Sequence, residues 1–219
     1  MRTPSTGSRA ARAALAAILL CGGAALAEGK GTPSGPGSLA GLWVNSDYKT
    51  SARFDVHAGI LRTDEGQLPP FQPAAAALFE QRVMGAEAGR PFAITKAYCL
   101  PAGVPQAMFG PALPIEILET PGKVSILMEE FTNFRQIFLD GQHQKDPEPS
   151  FMGDSVGRWE QGELVVDTVA LSERTTLDPL GMPHSDALHI TERFHRTGDK
   201  TMELRVTFDD PKTFTRTWT

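Results

Sequence analysis

Apolar and polar residues alternate with period two through most of the second half of this chain, and that period belongs to half-buried strands. Met202, Leu204, Val206 and Phe208 point one way, while Glu203, Arg205 and Thr207 point the other. Strand-length runs occur at Leu42–Val44, Arg53–His57, Ile60–Leu61, Ile115–Glu119, Val124–Phe131, Phe134–Leu139, Val156–Glu160, Leu164–Leu171, His189–Arg196, Met202–Phe208 and Thr213–Trp218. Pro121-Gly122, Asp140-Gly141, Gln161-Gly162 and Gly198-Asp199 separate several of them, as hairpin turns would. Residues 73–89 break the pattern. Pro73 opens a run of good helix formers that ends before Gly89 and Pro91, predicting one helix of about four turns. Pro91–Pro114, with five prolines, reads as a long ordered loop. A sequential antiparallel meander of this size predicts a mainly β fold. The expected form is an up-and-down, lipocalin-like barrel with one helix at its side or mouth, or else a strongly curved sheet wrapped on the helix.

The start of the chain changes the picture of location. Arg2, Arg9 and Arg12 precede the apolar run Ala13–Leu20, and no acid occurs before Glu28. With the small residues of Ala25-Leu26-Ala27, this is the layout of a secretory signal peptide cleaved after Ala27. The run is shorter than the ~20 residues that span a bilayer, so no permanent membrane anchor is expected. Lipidation at Cys21 is a minor alternative, disfavoured by Leu20 before it. Residues 28–38 read as a flexible leader and 39–219 as one β-rich domain of a periplasmic or secreted protein. Removal of three basic residues and no acidic one takes the net charge from −5 to −8. That acidity, with no basic stripe, excludes nucleic acid as a partner. The mature chain keeps only Cys99, so its fold rests on a core rather than on an internal disulfide.

No dinucleotide fingerprint, phosphate loop, Cys-x-x-Cys, haem attachment site, metalloprotease helix or Gly-x-Ser-x-Gly elbow is present, so no cofactor and no metal is implied. The densest polar cluster is Pro183–His195, which holds three of the five histidines. Alternation puts Leu188, Ile190, Glu192 and Phe194 on one strand face and His189, Thr191, Arg193 and His195 on the other. Glu192 among apolar neighbours is either a raised-pKa acid–base group or half of an ion pair with Arg135, Arg158 or Arg205. Asp167, alternating with Val165 and Val169, is a second acid on an apolar face, and His184 with Asp186 occupies a position at a strand mouth. Trp159 and Arg158 read as a pocket wall and clamp, or as a core tryptophan with an arginine packed over it.

Asp154–Glu160 with Leu164–Thr168, Pro183–Phe194 and Asp209–Arg216 resemble a large family of exported bacterial proteins without an assigned mechanism. The likeness runs back through Ile115–Ile117 and Phe134–Gly141 and covers most of residues 95–218. Asp154 stands where members commonly have histidine, and members continue beyond the segment at which this chain stops, which puts closure of the barrel in question. Gly41-Leu42-Trp43 is also similar to the start of lipocalin-like barrels. The favoured function is therefore binding of a small hydrophobic molecule, with Trp159, Phe134, Phe138 and Phe194 lining a cavity and Arg135, Arg158, His184 and Glu192 fixing the ligand's polar end. The alternative is a cofactor-independent lyase, isomerase or cyclase in the same cavity, with Glu192 or Asp167 as base and His184 or His189 as acid. A third reading is an envelope interaction module with an exposed apolar patch. Both cavity readings require at least two of His184, His189, Glu192, Arg158 and Asp167 to face the pocket.

Overall fold

The structure, a computed structural model, describes residues 37–45, 59–92, 100–109 and 114–219. The expected signal peptide, the strand at 53–57 and Cys99 lie outside the described residues. Among the described residues eight strands form one sheet in sequence order: β1 (Gly41–Trp43), β2 (Ile115–Thr120), β3 (Lys123–Met128), β4 (Asn133–Leu139), β5 (Asp154–Glu160), β6 (Glu163–Val169), β7 (His189–Gly198) and β8 (Thr201–Asp209). Helix α1 (Pro73–Glu87) and the single turn α2 (Gln106–Phe109) are the α-helices among the described residues, and Glu130–Thr132 forms a 3-10 turn. The sheet curls into a half-barrel, so the chain is mainly β, in the strongly curved form rather than the closed one. Ile60–Leu61 and Thr213–Trp218 are not strands, and the C-terminal segment meets β8 through the bridge between Phe208 and Trp218 and the hydroxyl contact of Thr207 with Thr219.

The turns follow from local chemistry. Gln161 and Gly162, at φ 50° and 91°, supply the two left-handed residues of the tight β5–β6 hairpin. The sheet departs from a pure meander at one place. β4 and β5 run parallel, paired only at Phe138–Val156 and Leu139–Gly157. Two antiparallel blocks, β1–β4 and β5–β8, meet at that joint.

Alternation decides the faces. Ile115, Ile117, Val124, Ile126, Ile137, Leu164, Val166 and Phe194 fill the concave side. A second cluster joins Phe79 of α1 to Leu171, Leu177, Met182, Leu188, Phe208, Phe214 and Trp218. There Trp218 stacks on Phe208 at 4.1 Å between ring centroids and meets Phe214 edge-on at 5.4 Å. Ser38, the last residue of the expected leader, is already buried and donates to Glu119 at 3.0 Å.

Candidate functional site

Arg135 of β4 and Glu192 of β7 point into the concavity and are 1% and 0% exposed. In a flat sheet these strands, three positions apart, would stand ~14 Å from each other. Here the Arg135 guanidinium reaches both carboxylate oxygens of Glu192, one at 2.9 Å from Nη1. Its remaining donors go to Ser155 Oγ (3.2 and 3.1 Å) and Thr168 Oγ1 (2.8 Å). The pair thus crosses β5 and β6 and is possible only because the sheet curls. With every guanidinium nitrogen and both carboxylate oxygens partnered, it is a closed network. Glu192 is the ion-paired residue of the two readings its sequence position allowed.

His184 lies in a second closed network. Its Nε2 is 2.7 Å from Thr175 Oγ1 and its Nδ1 2.9 Å from the Ser185 carbonyl oxygen, while Ser185 donates twice to Asp210. Burial holds the His184 imidazole below its usual pKa, disfavouring the charged ring. Asp178 is similar in kind. Its carboxylate accepts from the backbone N–H groups of Leu61, Leu180 and Met182, yet burial raises its pKa to about 6.

The concavity opens at the seam between β1 and β8 as a groove of about 620 Å³. Trp43, Phe194, Leu204, Val206 and Phe208 form its apolar wall, and Arg62, Asp64, Lys200, Glu203 and Arg205 its rim. None of His184, His189, Glu192, Arg158 or Asp167 reaches it, so the polar-ended cavity that both the binding and the acid–base readings required is not formed, and any ligand contact in the groove rests on its apolar wall and its rim. The expected polar end of the cavity is therefore corrected. Glu192 and Arg135 are consumed by each other, and His184 sits in the loop core. Arg158, on the outer face of β5, is paired with Glu160 at 2.5 Å. Of the aromatic residues expected to line the cavity, only Phe194 does so. Phe134 and Phe138 occupy the outward positions of β4 and are 61% and 48% exposed, and Trp159 at the end of β5 is 39% exposed. The stripe Met202, Leu204, Val206 and Phe208, legible from alternation, supplies the wall instead.

Asp167 and His189 come together on the outer face, where His189 Nε2 contacts Asp167 Oδ1. Two partners were not singled out from the sequence as chemistry. His143, in the polar loop after β4, lies with Nδ1 3.0 Å from Asp154 Oδ2 and Nε2 3.7 Å from Asp167 Oδ2. Nothing in the local pattern of the loop marks His143, and Asp154 stood out only as a departure from the resemblance read in the sequence. Among the described residues no group of three His, Cys, Asp or Glu side chains is arranged to hold a metal ion, and no helix is long and apolar enough to cross a membrane. Comparison with family models, curated proteins and solved structures finds no match.

Proposed function

We propose that the half-barrel binds a small, mostly apolar molecule in the groove between β1 and β8. The observation that carries this is the groove itself: an apolar wall of aromatic and branched side chains, half-open to solvent, of a volume typical for small-molecule sites. Its rim mixes three basic with two acidic side chains (Arg62, Lys200 and Arg205 against Asp64 and Glu203), which favours a ligand whose polar end is neutral or zwitterionic. The buried Arg135–Glu192 pair supports the reading indirectly, since each charge is taken up by the other and the wall is left apolar.

The test uses the environment-sensitive fluorophore N-phenylnaphthylamine and the full chain. The fluorophore's emission should rise on binding, with saturation in the micromolar range. Leu204→Glu, which puts a charge in the wall, should weaken binding at least tenfold. Native mass spectrometry of protein purified from its own cells should release an apolar passenger. Absence of saturable binding, or equal binding by Leu204→Glu, would overturn the proposal.

A further inference from the structure

The outer-face cluster shares no residue with the groove and forms a series of alternating carboxylates and imidazoles: Asp154, His143, Asp167, His189. Strand alternation places Asp167 on the outer side of β6 and His189 on the outer side of β7, and the loop after β4 lays His143 against both β5 and β6. Asp154 Oδ2 accepts the Gln144 backbone N–H at 2.9 Å, which fixes it as the acceptor for His143 Nδ1. His143 Nε2 is buried without a hydrogen-bond partner, and Asp167 Oδ2 at 3.7 Å faces it. At the far end Asp167 Oδ1 receives His189 Nε2, and the His189 side chain is 43% exposed.

A carboxylate behind one imidazole nitrogen keeps the proton there and leaves the other nitrogen as a base, held in one orientation and ready to take a proton. We propose that His189 Nδ1 is the general base of a second, proton-abstracting site on the outer face. Asp167 is its positioning residue. The substrate class follows from charge. Asp209 stands opposite His189 across the β7–β8 pair, so His189 has the acidic side chains of Asp167 and Asp209 as neighbours. Neutral or cationic molecules bearing an acidic C–H or O–H are accepted, and anions are repelled.

Nitrobenzisoxazole tests the base directly. Its ring C–H proton passes to His189 Nδ1, the C–H electron pair completes a nitrile, the N–O bond breaks and the oxygen leaves as a phenolate. The imidazolium then returns its proton to water. The full chain should turn this probe over about a hundredfold faster than free imidazole at equal concentration and pH. His189→Gln should remove that excess. Asp167→Asn, which spares the base, should lower the rate about tenfold. It should also turn a single Nε2–H tautomer, read by nitrogen-edited NMR of the imidazole, into a mixture. The proposal is overturned by a rate no greater than that of free imidazole, by full activity in His189→Gln, or by an unchanged tautomer in Asp167→Asn. Loss of activity on EDTA treatment with recovery on adding zinc would overturn it as well, by replacing the base with a metal.

Discussion

Arg135 and Glu192 show how one buried pair of side chains can bridge a curved sheet. Glu192→Gln leaves a guanidinium at 1% exposure facing a neutral amide, and the expected loss of unfolding free energy is about 3–5 kcal/mol. The double variant Arg135→Met with Glu192→Leu should recover most of that loss, because two apolar groups of similar volume leave no buried charge. Urea unfolding of the three proteins checks both statements, and a double variant no better than the single one would contradict them. Asp178 gives a pH-dependent counterpart. Its pKa of about 6, against 3.8 for the ordinary side chain, means the folded chain keeps a proton that the unfolded chain has released. Stability from this group is therefore lost as pH rises from about 4 to 6, by at most about 3 kcal/mol. Asp178→Asn should gain on the wild type across that window in urea titrations at pH 4 and pH 7, and a constant difference would refute the assignment. At this scale Glu192 and three possible arginine partners were legible, because a charged residue in an apolar alternation needs a partner. Which arginine it takes depends on curvature, which alternation does not encode. His143 was invisible for a different reason: its partners lie on two strands that follow it, and its own segment has no periodicity.

The elements were the most legible level. β2, β4, β6, β7 and β8 fall where alternation puts them, and α1 spans Pro73–Glu87 between its proline and glycine signals. Strand direction at the β4–β5 joint was not legible, since residues 140–153 contain no helix to announce a crossover to a parallel neighbour. The joint depends on close approach. A Cβ added at Gly157 would come within 2.7 Å of Ile137 Cγ2 and 3.4 Å of Leu139 Cδ2 and Leu164 Cδ1. Gly157→Ala should cost about 1–3 kcal/mol through overpacking. Gly141→Ala, whose nearest neighbour is at 3.8 Å, should be close to neutral. Equal melting temperatures for the two variants would show that the joint tolerates expansion.

For the molecule as a whole, the fold class was readable while the groove was not. Its wall joins β1 near residue 43, β7 and β8 near residue 200, and the C-terminal segment, positions that only the completed fold brings together. The displaced aromatic residues show the same limit. Phe134 and Phe138 sit in the outward register of β4 because Arg135 and Ile137 take the inward one, and a charged residue inward with phenylalanines outward reverses the usual inference from hydrophobicity. The groove and the outer-face series therefore lie on opposite sides of one sheet and can be altered independently. The long-range ion pair also sets an order in time. Arg135 precedes Glu192 by 57 residues, so it emerges first wherever the chain is threaded in sequence order, from the ribosome or across a membrane. Until that partner arrives, the first block of strands cannot desolvate its own inward arginine. Nascent β1–β4 must stay open and hydrated on its inner face, and the later hairpin of β7 and β8 is what permits the first half of the chain to close.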